Sequence, residues 1–140
     1  MSTGHRQVDH TADLALEFWA PTQEALLLEA ARAIVAQLTE GATIGTDATR
    51  QVELNAVDPG DRLVQWLNEV LVLATSEGFL TQDAAITLGA GEAAELTASL
   101  RGEANADDRI RSELKSVTYH ALAIERGDDH TWTARVVIDV

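Results

Sequence analysis

The chain has 140 residues, of which 46% are hydrophobic, and it carries a formal net charge of −13 at pH 7. This length and hydrophobic content predict a single folded domain over residues 1–140 and argue against intrinsic disorder. The absence of Cys excludes disulfides and thiolate metal sites, and the acidic charge disfavours direct nucleic-acid binding, which depends on Lys and Arg. No apolar run approaches the roughly 18 residues of a membrane span, and the polar N-terminus lacks an apolar signal core, so we expect a cytoplasmic protein.

In the first half of the chain, alternating patterns and cap residues predict two strands, each followed by a helix. Thr22 is a suitable N-cap for the first helix, and Asp58, followed by Pro59, is a suitable N-cap for the second. Gly78 provides a left-handed stop for the second helix. The predicted elements are a strand over residues 13–19, a helix over 22–38, a strand over 50–57 and a helix over 58–77.

The second half of the chain is predicted to consist of strands. Glycine-containing turns at residues 89–91 and 127–129 are typical of hairpins, and the polar segment 102–112 is expected to be a loop. The strands are predicted over residues 79–88, 94–101, 116–125 and 131–140. The resulting order, β-α-β-α-β-β-β-β, is typical of an α+β domain with two helices packed on a mostly antiparallel sheet.

Carboxylates near the two ends of the chain form the most informative pattern. Residues Asp9 to Asp13 read Asp-His-Thr-Ala-Asp directly before the first strand, and Asp139 precedes the last residue, Val140. If the first and last strands meet, Asp13, Asp139 and the Val140 carboxylate would supply hard oxygen ligands for a divalent cation, and Asp9 could add to them. The alternative is that Asp13 only caps a turn and Asp139 is an exposed terminal residue.

Three further residues are candidates for chemistry or for contact with a partner. His10 is a candidate metal ligand, general base or turn residue. Lys115 belongs to the run Lys-Ser-Val-Thr-Tyr-His, and if its strand lies beside Asp13 or Asp139, it could tune those carboxylates or contact a ligand phosphate. The alternative for that run is a strand in which Val117 and Tyr119 pack inward and Lys115 is solvated. Trp66 falls off the apolar stripe of the second helix, which predicts an exposed side chain suited to a protein contact or to covering a sheet edge.

Five segments, in this order along the chain, resemble the archease family. They are Asp-His-Thr-Ala-Asp at 9–13, Trp-Leu-Asn-Glu at 66–69, Ser-Glu-Gly-Phe-Leu at 76–80, Lys-Ser-Val-Thr-Tyr-His at 115–120 and Val-Ile-Asp-Val at 137–140. Each segment alone is a weak signal, but together they span nearly the whole chain. The sequence departs from the common family pattern at Ala15, where Gly is usual, in the run at 75–78 and in the loop at 107–109.

The resemblance implies a non-enzymatic protein that assists the RtcB-type RNA ligase, a GTP- and manganese-dependent enzyme of tRNA splicing and RNA repair. Archeases are understood to promote guanylylation of the ligase, to permit repeated turnovers, and to bind a divalent metal, often calcium, with manganese and magnesium as alternatives. By motif match, Asp13 and Asp139 are the metal ligands, Val140 lies beside them, and Lys115 is the functionally important Lys. Supporting roles are implied for Asp9, His10 and His120.

Two other classes of function remain open from the residues themselves. A metal-dependent phosphoester hydrolase would use His10 as its base and the carboxylates as metal ligands, although the sequence contains neither a phosphate-binding loop nor a nucleophile elbow. An acidic chaperone or binding module would need no metal at all. Direct, sequence-specific RNA recognition is not expected, because the sequence has no basic patch with interleaved aromatic residues.

Overall fold

A computed structural model of the chain describes residues 2–8, 13–89 and 94–140. Its helices and strands are β1 (Gly4–Val8), β2 (Leu14–Ala20), α1 (Gln23–Thr39), β3 (Ala48–Ala56), α2 (Pro59–Glu77), β4 (Leu80–Leu88), β5 (Ala94–Glu103), β6 (Ser116–Arg126) and β7 (Trp132–Asp139). A short 3₁₀ helix at Asp107–Arg109 interrupts the segment that was predicted to be a loop.

The strands form two antiparallel sheets, with the orders β1-β2-β7-β6 and β3-β5-β4. This arrangement confirms the predicted α+β class and the order of the two helices and six predicted strands. The structure adds β1, an edge strand that pairs with β2. Alternation did not predict β1, because three of its five residues are exposed and it has no apolar face.

Each helix begins at its predicted N-cap. The Thr22 hydroxyl accepts a hydrogen bond from the Ala25 N–H at 3.1 Å, and the Asp58 carboxylate accepts one from the Asp61 N–H at 2.8 Å. Gly78 ends α2 with a φ of 67°, a left-handed conformation that glycine adopts without strain. α1 and α2 pack against each other and against strands of both sheets, so the helices lie in the core. Within the described ranges, neither helix combines the length and apolar character needed to cross a bilayer.

Trp66 lies in the centre of this core, so the prediction of an exposed side chain is wrong. The side chain is fully buried, and its indole N–H donates a hydrogen bond to the Leu27 carbonyl oxygen at 2.8 Å. α2 is covered on more than one side, because it packs against α1 as well as β6 and β3. A residue of α2 that lies outside its main apolar stripe can therefore still be buried.

β6 separates from β7 over part of its length. Pairing is regular as far as Thr118 and resumes at Ala123, so residues 119–122 of β6 face a single residue of β7, Val136. Within this bulge, Ala121 has a φ of 51°, a left-handed conformation that costs a non-glycine residue roughly 1–2 kcal/mol. The bulge turns this part of β6 away from the ladder with β7, beside the N-terminal half of α2.

Candidate metal and partner site

The start of β2 and the end of β7 lie side by side in the four-stranded sheet. Their antiparallel register pairs Leu14 with Ile138. Asp13 precedes Leu14 and Asp139 follows Ile138, so the same register continued by one residue places the two Asp residues opposite each other. Opposed residues of an antiparallel pair project to the same face of the sheet, with Cβ atoms about 4.5–5.5 Å apart. The topology thus brings the start of β2 and the end of β7, with their Asp residues, to the same end of the sheet.

Lys115 reaches the same end of the sheet from β6. Its backbone N–H donates a hydrogen bond to the Asp139 carbonyl oxygen at 2.8 Å, and the next residue, Ser116, pairs with Asp139. Lys115 itself is exposed. Residues separated by more than one hundred positions in sequence therefore converge because β7 lies between β2 and β6.

The other predicted site residues have different placements. Asp9 and His10 lie outside the described residues. Val140 follows β7 and is 47% exposed. His120 lies in the β6 bulge, where its side chain is exposed and its backbone N–H donates to the Thr118 hydroxyl at 3.3 Å. The assignment of these residues as ligands or supporting groups stays a prediction.

The oxygen donors at this end of the sheet have the chemistry that a hard divalent cation requires. Carboxylate oxygens suit calcium, magnesium and manganese alike. Among the described residues, however, no group of three or more His, Cys, Asp or Glu side chains is arranged to hold a metal ion. Asp13 and Asp139 would supply two carboxylates, so a complete site needs further oxygens from Val140, Asp9 or water.

Asn68 of α2 holds the start of β6, a contact that the sequence did not predict. Its Nδ2 donates a hydrogen bond to the Val117 carbonyl oxygen at 2.9 Å, and its Oδ1 accepts one from the Val117 N–H at 2.8 Å. Val117 is buried, in agreement with the alternative in which it packs inward. The sequence signal for Asn68 was its position in the motif at 66–69, which gave no indication of its contact.

A second contact joins α2 to β6 at the bulge. The Tyr119 hydroxyl donates a hydrogen bond to Asp61 Oδ1 at 2.5 Å, and the Val57 N–H donates one to Asp61 Oδ2 at 3.0 Å. The Tyr119 and Val57 hydrogen bonds lower the pKa of Asp61, and the bond to Asp61 raises the pKa of Tyr119. Tyr119 is 59% exposed, so the prediction that it packs inward is wrong.

Comparison with known proteins gives matches over nearly the full chain. Residues 5–140 match the family model described as the Archease protein family. Protein archease of Methanopyrus kandleri is 33% identical over 137 residues, which cover 96% of this chain and 97% of that protein. Protein archease of Archaeoglobus fulgidus is 30% identical over 136 residues, covering 97% and 98% of the two chains. The solution structure of Methanobacterium thermoautotrophicum protein 1598 superposes with a TM-score of 0.82 at 26% identity, covering 98% of this chain and 99% of the other.

Proposed function

The chain belongs to the archease protein family, and we propose that it is a non-enzymatic cofactor that activates an RtcB-type RNA ligase. The activation would consist of faster guanylylation of the ligase and of repeated turnovers, in tRNA splicing and RNA repair. The observation that carries the proposal is the convergence of Asp13, Lys115 and Asp139 at one end of the four-stranded sheet.

A divalent cation is the cofactor that these carboxylates would hold. Asp13 and Asp139 would bind it directly, with Val140 as a third ligand and Asp9 as a fourth. When bound, the cation would supply a concentrated positive charge for phosphate oxygens in the partner's active site. Calcium is the expected ion for the isolated protein, and manganese or magnesium would fit the same oxygen donors.

Lys115 would contribute the second positive charge of the site. Its backbone is fixed to Asp139 by the 2.8 Å hydrogen bond, while the residue is exposed. A flexible ammonium group with three donors suits contact with a phosphate oxygen. Lys115 would therefore favour an approach of the site toward the nucleotide or RNA bound by the ligase.

The overall charge of the chain favours the same partner. A ligase that binds RNA and GTP needs a basic active site, and a protein with a net charge of −13 is attracted to such a surface. Because this attraction acts through exposed charges, the association should weaken as the salt concentration rises.

The proposal is tested with a ligation assay in which the ligase is limiting. Wild-type protein should raise the number of joined RNA products per ligase molecule, and Asp13→Asn, Asp139→Asn and Lys115→Met should each reduce this gain. Asp128→Asn is the matched control, because Asp128 is an exposed Asp in the turn at the opposite end of β6 and β7. It removes the same charge without touching the site.

Two results would contradict the proposal. The first is equal stimulation by wild type, Asp13→Asn and Asp139→Asn. The second is hydrolysis of simple phosphoesters by the isolated protein with manganese, at a rate that these same substitutions abolish, because that result would identify a metal-dependent hydrolase.

A further inference from the structure

Among the strands that the structure describes, none pairs with the outer side of β6, so its start is a sheet edge. The order β1-β2-β7-β6 makes β6 an edge strand of its sheet. An edge strand presents unpaired N–H and C=O groups, and a mobile edge would be a poor support for a precisely placed side chain. At Val117, both outward backbone groups are instead bonded to one side chain, that of Asn68, at 2.8 Å and 2.9 Å.

An Asn side chain is suited to this role because it carries an acceptor and donors in one plane. Its amide presents to Val117 the same pair of groups that a neighbouring strand would present. Asn68 is partly buried, and it projects from a helix whose neighbouring residues Trp66 and Leu67 are fully buried. The anchor is therefore fixed to the core of the protein.

Val117 and Ser116 of β6 connect Asn68 to the candidate site. Val117 is held on one side by Asn68, and its neighbour Ser116 pairs with Asp139 on the other side. Lys115, the next residue, donates its N–H to the Asp139 carbonyl oxygen. Beyond Thr118, where the bulge begins, β6 is no longer regularly paired with β7. The short stretch that carries Lys115 is thus held between β7 and Asn68.

We propose that Asn68 is a positioning residue, which fixes Lys115 beside Asp139 by completing the edge of β6 at Val117. The proposal rests on the proposed function for its role in ligase activation. Its structural part concerns the isolated protein alone, so the two can be tested separately.

The structural part is tested by amide hydrogen exchange on the isolated protein. Two variants are used: Asn68→Ala, which removes both hydrogen bonds, and Asn68→Asp, which at neutral pH keeps an acceptor for the Val117 N–H and loses the donor. In Asn68→Ala, exchange of the Lys115 and Val117 amides should accelerate at least about tenfold, relative to amides in the centre of β7. In Asn68→Asp, the Lys115 amide should also accelerate, because the carboxylate repels the Val117 carbonyl oxygen to which Asn68 Nδ2 donated, whereas the Val117 amide keeps its acceptor. Unchanged exchange at Lys115 in both variants would overturn the proposal, whether or not the protein activates a ligase.

The functional part is tested by titrating the ligase with wild-type and variant protein. Asn68→Ala should lower the maximal number of turnovers by about tenfold, because a small misplacement of a functional group can cost as much as two orders of magnitude. The concentration that gives half-maximal activation should change by less than about twofold, since the docking surface is unaltered. Trp66→Phe is the control for a general loss of stability, because Trp66 is buried and its indole N–H donates to Leu27 of α1, not to β6.

A double-mutant cycle separates a positioning role from a merely structural one. If Asn68 acts through Lys115, Asn68→Ala should have no further effect on activation in a Lys115→Met background, although it should still accelerate amide exchange. Losses of activation that multiply in the double variant would overturn the proposal. Failure of wild type to activate the ligase would instead contradict the proposed function, and the exchange experiment would still decide the structural part.

Discussion

Replacing Trp66 by Phe tests whether this residue belongs to the core or to a partner surface. Phe keeps an aromatic ring in the site, but it lacks the indole N–H that donates to the Leu27 carbonyl oxygen at 2.8 Å. Loss of one buried hydrogen bond costs about 1 kcal/mol of folding free energy. The smaller ring also leaves about three heavy atoms of space unfilled, at a further cost of about 1–2 kcal/mol. We therefore expect the free energy of unfolding to fall by about 2–3 kcal/mol.

Urea denaturation followed by far-UV circular dichroism measures this change, since that signal comes mainly from the backbone and not from Trp fluorescence, which the substitution alters. With a denaturant slope of about 2 kcal/mol per molar urea, the midpoint should fall by about 1 M. Activation of the ligase should be retained below the unfolding transition. A midpoint shift of less than about 0.2 M, together with loss of activation, would contradict a core role for Trp66 and identify it as a partner contact.

Three further predictions concern backbone packing, pH dependence and metal binding. Gly102→Ala should destabilise the protein by about 2 kcal/mol or more in thermal unfolding, because a Cβ at Gly102 would lie 2.0 Å from the Leu80 carbonyl oxygen of β4; an unchanged melting temperature would contradict the close packing. Tyr119→Phe should lower stability at pH 7 by about 0.5–1 kcal/mol. Because Asp61 has a lowered pKa in the folded state, this difference should be full above the unfolded pKa of about 3.9 and should be lost as the pH falls through the folded pKa of Asp61; a difference that does not depend on pH would argue against the hydrogen bond to the Asp61 carboxylate as its source. Asp139→Asn should weaken calcium binding at least about tenfold in calorimetry, and equal affinities for variant and wild type would remove Asp139 from the ligand set.

The regular elements were predictable where local chemistry determines them. Thr22 and Asp58 cap their helices because short polar side chains satisfy free N–H groups at a helix start, and Gly78 ends α2 because glycine accepts a left-handed backbone. These effects act over a few residues, so they are visible in the sequence. The same holds for the turn at 127–129, where the Gly127 N–H donates to the Thr131 carbonyl oxygen at 2.9 Å.

Features that depend on tertiary packing were not predictable in this way. Trp66 is buried because α2 is covered by α1 and by strands of both sheets, whereas its helical pattern describes only one apolar stripe. Likewise, β1 has no apolar face, so its extended conformation is stabilised mainly by its hydrogen bonds to β2. The bulge of β6 and its support by Asn68 also arise from contacts between segments distant in sequence.

The candidate site was predictable in part: its residues could be named from the sequence, but their proximity could not. Asp13 and Asp139 stood out as carboxylates near the two ends of the chain, and the family resemblance gave them and Lys115 their implied roles. No spacing rule relates residues so far apart. Their proximity follows from the position of β7 between β2 and β6. Asn68 lay within one of the same motifs, but a contact from its side chain to a sheet edge has no signature in a single sequence.

The rate of ligase guanylylation is the direct measure of whether this end of the sheet activates the ligase. The purified ligase is incubated with radiolabelled GTP and manganese, and the covalent ligase–GMP adduct is measured over time with wild-type protein, Asp139→Asn or the Asp128→Asn control. We predict that wild type and Asp128→Asn accelerate formation of the adduct and that Asp139→Asn does not. Equal acceleration by all three proteins, or no acceleration by wild type, would contradict the assignment of this end of the sheet as the activating site.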